Sequence, residues 1–388
     1  MSINAFVQSL PLLDHHAHYL IRGDVADRAH RLLRVSSEAD AQYPITDTAN
    51  RLAWSAFQQT ARDFDPTVAA AYQRGATPEE ALQPMDADHY RDYNHRVFAA
   101  YHYQTLFIDT GFVPDDAILD LNATADLTGL TVRPIYRLET HAEAYMQQYA
   151  DFDAWSDHFL DAVGHVRAHG YVGCKSIAAY RVGLQVTPVT PDAARAAFDQ
   201  WRQHYEETGV ARLENQDVIN YLLALVAPAL INQHLPLQFH VGYGDADTDL
   251  YLGNPLLLRS FLRRFCYDGL QVVLLHCYPY HREAGYLASV FPGVYFDTSL
   301  VNNLAPSSTM SVVRESLELA PYSRYLFASD ASTYVEMYAV AAQTFKAALA
   351  AQLDAVTTAT DAQKQSWARM VCYANAANLY GVAVTATD

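Results

Sequence analysis

The sequence predicts an α/β protein, a (β/α)8 barrel of the TIM type with a helical insertion after its first strand. Three observations lead there. Short apolar runs rich in β-branched and aromatic residues alternate with longer stretches of helical periodicity, the pattern of βα units on a parallel sheet. The runs number eight, the count that closes such a barrel. No G-x-G-x-x-G or phosphate-binding loop supports the competing open, doubly wound sheet. The 388 residues are read as one domain, 1–388, because α/β barrels run past ~250 residues undivided.

The elements follow in order. Val7–Leu13 is the first apolar run. Residues of about 20–100 then carry helical patterns rich in Asp, Arg, Tyr and Ala, too long for a simple connection. We expect this insertion to cover the C-terminal mouth of the barrel; bracing the outside, or an oligomer interface, is the alternative. Thr105–Asp109 and Val132–Leu138 are the second and third runs, and a helical stretch, Phe152–His169, leads to the fourth, Gly173–Ile177. A second insertion, about 179–216, holds helical Asp192–Thr208. Helical Asp217–His234 precedes the fifth run, Leu237–Val241, and helical Pro255–Tyr267 precedes the sixth, Val272–His276. Val294–Thr298 and Tyr325–Ser329 complete the eight.

Composition narrows the function. With 51% hydrophobic and 18% charged residues the chain is globular. A net charge of −17 argues against a nucleic-acid surface or an anionic-membrane patch, both of which need clustered Lys and Arg. The expected partner is a small molecule, drawn by local positive charge if it is anionic; a homo-oligomer is compatible with everything here. Cys174, Cys266, Cys277 and Cys372 are scattered and form no C-x-x-C pair, which suits a reduced, cytoplasmic protein. No signal-peptide pattern and no uninterrupted apolar run of ~18 residues is present.

Ionisable residues recur at one end of these runs. His16 and His18 end the first, two apart, so that in a strand both imidazoles face the same side. Lys175 lies in the fourth run, His240 in the fifth, His276 ends the sixth, and Asp330 follows the eighth. In a barrel the C-terminal strand ends converge on one mouth, where barrel enzymes do their chemistry. Singly, a strand-end His is more often hydrogen-bonded in place and a strand-end Asp often caps the next helix. Those explanations would all have to hold together, which favours one metal site.

The segments Leu-Leu-Asp-His-His-Ala-His (12–18), Gly-Cys-Lys-Ser-Ile-Ala-Ala-Tyr-Arg-Val-Gly-Leu (173–184), Pro-Leu-Gln-Phe-His-Val-Gly-Tyr-Gly-Asp (236–245), Leu-Leu-His-Cys-Tyr-Pro-Tyr-His-Arg-Glu-Ala-Gly-Tyr-Leu-Ala (274–288), Ser-Asp (329–330) and Asn-Ala-Ala-Asn-Leu-Tyr-Gly (375–381) resemble the amidohydrolase superfamily. The likeness is greatest to its amidohydrolase-2 branch, which includes the nodulin- and FluG-like amidohydrolase domains associated with glutamine synthetase. The resemblance implies a (β/α)8 barrel with metal at its mouth and leaves the substrate open. It carries ligand roles onto His16, His18, His240, His276 and Asp330. For Lys175 it implies either a carbamate bridging two metals, which we favour, or an amine that binds a substrate carboxylate. An ammonium beside a dication would be repelled and desolvated, which is the physical case for the carbamate.

Imidazole and carboxylate ligands suit Zn2+, one ion or two, the second if Lys175 is carboxylated. The expected chemistry is hydrolysis of a C–N or related acyl bond by metal-activated water, with Asp330 moving the proton and His276 and Lys175 at the reacting centre. In the two-metal version His16, His18 and Asp330 hold one ion, and His240 and His276 the other. A decarboxylase or isomerase on the same barrel is the alternative. Arg137, Arg181 and Arg282 are candidates to grip a substrate carboxylate, unless each makes a structural ion pair, with Glu139 and Glu283 as near partners. Tyr180 is a candidate for the pocket wall. Asp14 and His15 are expected to support the first ligand pair, His15 from the opposite face, and Cys277 to be a buried thiol turned away from His276.

Overall fold

The computed structural model describes residues 1–113 and 117–384. Seven parallel strands pair in sequence order: β1 Leu12–Ala17, β2 Tyr103–Asp109, β3 Thr131–Arg137, β4 Gly173–Ser176, β5 Leu237–Val241, β6 Val272–His276 and β7 Val294–Phe296. Most are apolar runs buried on both faces, as the strands of a parallel sheet covered on both sides must be. Alternation splits their side chains. Leu13, Phe107, Ile135, Val273, Leu275 and Leu326 form one apolar cluster, capped by Tyr380. Leu12, Leu106, Ile108, Cys174, Phe239, Val272 and Leu274 face the larger core shared with the helices. Each buried Leu, Ile, Val or Phe contributes about 1.5–3 kcal/mol.

Two expectations about the strands are corrected. The first apolar run does not begin a strand at Val7: Ile3–Ser9 is a helix capped by Ser2, whose side chain accepts from Ala5 N at 3.3 Å. Ile3, Phe6, Val7 and Leu10 recur at helical spacing, a period that outweighs the β-branched residue among them. The eighth run, Tyr325–Ser329, forms a single bridge, Phe296 to Tyr325, and no strand. It nevertheless lies between the sheet edges: Leu326 N donates to Phe296 O at 3.0 Å, His15 N to Phe327 O at 3.3 Å and Asp330 N to His16 O at 3.0 Å. The ladder is broken because the Asp14 carboxylate, at 3.0 Å, takes the Ser329 N–H from any backbone acceptor.

Between β1 and β2 the chain forms helices Arg28–Arg34, Ile45–Thr48, Leu52–Phe64, Pro66–Gln73, Pro78–Ala81 and Ala87–Ala100. A buried ion pair, Arg28 with Glu336, joins this segment to the long helix Val335–Ala355, with Tyr93 and Tyr334 beside the guanidinium. Between β4 and β5, helix Pro191–Thr208 starts on a Thr190 cap with proline at its first turn and stops at left-handed Gly209. It packs with Gln216–Gln233 and Phe152–Gly164 through Trp155, Phe159, Phe198 and Trp201. Among the described residues no helix is long and apolar enough to cross a membrane.

Candidate metal centre

The backbone turns sharply where the sequence puts its ionisable residues. His276, Cys277 and Asp330 all have left-handed backbones, with φ of 68°, 56° and 50°. Such conformations cost non-glycine residues of order 1–3 kcal/mol and persist where surroundings enforce them. Here a carboxylate does so: Asp297 Oδ1 accepts from His276 N and from Ser299 N, both at 2.8 Å. Gly242, just beyond β5, is left-handed too, and a Cβ there would collide with the Tyr278 carbonyl, so the loops after β5 and β6 can touch only through a glycine.

Asp330 is the hub. Its Oδ1 lies 3.3 Å from both His16 Nε2 and His18 Nε2, and its Oδ2 lies 3.5 Å from His276 Nδ1. The ring of His240 is 4.5 Å from that of His276 and 4.1 Å from that of Tyr180. Lys175 Nζ reaches His16 Nε2 at 3.0 Å. All five strand-end residues are buried, and Asp330 exposes 11% of its side chain, enough to meet a ligand.

Asp109 was missed. It ends β2, and its carboxylate binds Arg137 through Nε at 3.0 Å and Lys175 Nζ at 3.2 Å. A signal existed: Phe-Ile-Asp repeats at β2 the apolar-run-then-ligand pattern used elsewhere. Glu38 was missed as well, and only the fold brings it to the cavity wall.

Burial dominates the protonation states. It drives His16 down to about 3 with help from the Lys175 charge, and holds His240 well below and His276 below the usual imidazole range. Burial would raise the Asp330 and Asp109 carboxyls, but the imidazoles around the first, His276 foremost, and Arg137 with Lys175 beside the second outweigh it. Both stay well below the ordinary range. Burial also lowers Lys175. Neutral imidazoles around an anionic carboxylate are the states a divalent cation requires.

The donor set fits a cation in position as well as in kind. His16, His276 and Asp330 offer ligand atoms within 4.8 Å of one another, and so do His16, His18 and Asp109. His240 falls outside both groups. Its Nε2 is buried with no hydrogen-bond partner among the described residues, a cost that a bound ion at His240 would remove.

Above these residues opens a cavity of about 440 Å3, lined among others by His18, His240, His276, Asp330, Lys175, Arg137, Arg181 and Tyr180. Arg181 pairs with Glu143 at 2.9 Å, not with Glu139, and Arg137 pairs with Asp109. Arg282 lies apart from the cavity lining, on Glu315 at 3.4 Å and Glu318 at 3.3 Å. Cys277 is buried, its thiol donating to the Leu274 carbonyl. A register irregularity between Asp14 and Ala17 disrupts the alternation expected for His15.

A family model described as amidohydrolase matches residues 13–382. The chain is 28% identical over 385 residues to Protein fluG of Emericella nidulans, which covers 90% of this chain; the chain spans only 42% of that relative's length. Among solved structures, a proposed metal-dependent hydrolase from Lactobacillus casei is 52% identical with a TM-score of 0.92, covering 98% of this chain and 97% of that one. Uronate isomerase from Thermotoga maritima shares the fold at a TM-score of 0.65 and 13% identity, with coverage of 97% and 96%.

Proposed function

This chain belongs to the amidohydrolase family, and from that premise we propose that it is a metal-dependent hydrolase acting on a C–N or related acyl bond of a small carboxylate-bearing molecule. One observation carries this: Asp330, kept anionic, sits 3.3 Å from the imidazoles of His16 and His18 at the floor of a cavity whose wall also bears Lys175, Arg137 and Arg181. His16, His18 and Asp330 would hold the ion, with His276 and His240 beside them. A divalent cation such as Zn2+, when bound, polarises a carbonyl and lowers the pKa of a water toward about 7.

The chain's own residues do the rest. Asp330 takes the proton of the attacking water and delivers it to the departing nitrogen. Arg181 and Arg137 orient the substrate carboxylate, each already fixed by an acid so that little entropy is lost on binding. Arg34, Val35, Ser37 and Glu38, from the segment between β1 and β2, line the cavity and give that segment the part of a lid that excludes water. Turnover of carboxylate-bearing amides in 18O-water tests the reaction class. A hydrolase places one 18O in the product acid; turnover with unlabelled product defeats the proposal. Arg181→Ala should raise KM with metal content intact.

The Lys175–Asp109 contact favours a second reading. A carbamate on Lys175 would set its negative charge against the Asp109 carboxylate, whereas an amine completes an ion pair there. Both ligand groups also share His16, which suits one ion better than two. An amine and a single ion support a lyase or isomerase on the same barrel. Metal stoichiometry together with electron density on Lys175 separates the two.

A further inference from the structure

The C-terminal motif Asn375–Gly381 has no part in the chemistry described so far, yet its last helical residue reaches the metal centre from below. Tyr380 is buried in the apolar cluster inside the sheet. Its hydroxyl lies 3.2 Å from His15 Nδ1 and 2.8 Å from Gln238 Nε2. Gln238, on β5 and fully buried, also donates from Nε2 to the His15 carbonyl at 3.0 Å, and its Oε1 lies 2.9 Å from His16 Nδ1. At the far end, His15 Nε2 lies 3.0 Å from Asp297 Oδ2.

Only one direction of donation satisfies this chain. Asp297 Oδ2, an acceptor, faces His15 Nε2, and Gln238 Nε2 donates to the Tyr380 hydroxyl, which is left to donate to His15 Nδ1. Reversing the Gln238 amide would set its oxygen against the His15 carbonyl, two acceptors 3.0 Å apart. Gln238 Oε1 therefore faces His16 and must accept from it. His16 then bears its proton on Nδ1, and its Nε2 lone pair points at Lys175 Nζ, a donor, and toward Asp330.

We propose that Gln238 and Tyr380 are positioning residues that lock His16 into the tautomer able to ligate a metal through Nε2. The C-terminal helix thereby tunes metal affinity from beneath the site. This rests on the metal reading above. Partners of this kind typically govern ten- to a hundredfold of metal affinity.

Two measurements test it. In metal-free wild-type protein, long-range 15N–1H correlation of the His16 ring should show the proton on Nδ1; a proton on Nε2 overturns the proposal whether or not metal binds. Titration with Co2+ should show Gln238→Met binding ten- to a hundredfold more weakly than wild type, and Tyr380→Phe at least severalfold more weakly, the latter being a single-atom change that spares the fold. Wild-type affinity in both variants overturns the proposal and leaves the metal site standing. Wild-type protein that takes up neither Co2+ nor Zn2+ overturns both.

Discussion

The amine of Lys175 lies 3.2 Å from the carboxylate of Asp109, and both groups are buried. Asp109 simultaneously holds Arg137, so one acid neutralises two largely buried cations. Removing it leaves both uncompensated, and breaking such a buried pair costs about 3–5 kcal/mol. Asp109→Asn should therefore lose stability on that scale in urea unfolding. Lys175→Met should lose less, and the double variant should fall short of the sum by more than about 1 kcal/mol, because the second change removes a charge that the first stranded. Additive losses would show that the two groups do not depend on each other.

Metal binding should register as stability. A ligand that binds only the folded state adds about 2.7 kcal/mol at a hundred times its dissociation constant. Chelator-treated protein should melt lower than protein loaded with Zn2+, and Asp330→Asn should abolish most of the difference by removing the negative charge beside His16 and His18. Equal melting temperatures with and without the ion in wild type would count against a site at Asp330.

Glu38 supplies a pH dependence. Burial raises its carboxyl to about 8, with the charges of Asp330 and Asp245 adding to the effect. The folded protein thus keeps a proton that the unfolded chain has already released above its ordinary pKa of 4.5. Folding binds protons across that window, so stability falls as pH rises from 4.5 to about 8 and levels beyond it. Glu38→Gln lacks this loss. In metal-free protein its urea midpoint should gain on wild type steadily between pH 5 and 8. A constant offset would place the Glu38 proton elsewhere.

Strands and the ionisable residues that meet at the cavity were legible in the sequence for the same reason: a parallel strand buried on both faces is a run of apolar residues, and a polar residue ending it stands out. β5 and β6 were bounded to the residue in this way. Asp109 ends its run just as plainly and was passed over because no neighbour in sequence marks it. Pairings were not legible. Arg137 has Glu139 two residues away but binds Asp109 across the sheet, and Arg282 has Glu283 beside it but binds Glu315 and Glu318. Nearby charges on a strand or helix often face apart, and only the fold brings distant ones together. Glu38 shows the same limit, since nothing in a helical stretch marks which residue will line a cavity. The eighth strand failed for a subtler reason. Its residues are strand-like, but a side-chain acceptor, the Asp14 carboxylate, takes one of its backbone donors.

Far from the cavity, one lysine closes a junction between three distant stretches of chain. Lys346 sits within the long helix Val335–Ala355, wholly buried, and its Nζ donates to the carbonyls of Gln8 at 3.0 Å, Leu10 at 2.8 Å and Tyr101 at 2.9 Å. Three carbonyls match the three donors of an ammonium, so the helix, the N-terminal turn before β1 and the turn before β2 are pinned at one atom. Lys346→Met keeps the length of the side chain and its apolar stem but leaves three carbonyls without a donor. Each buried unsatisfied group costs about 1–3 kcal/mol, partly recovered where water can enter, so a loss of roughly 2–4 kcal/mol is expected. The folded fraction lost should appear in urea unfolding with an unchanged slope, and Co2+ affinity should be unaffected because no metal-site residue touches Lys346. A variant as stable as wild type would mean that these carbonyls find other donors and that the junction does not depend on the lysine.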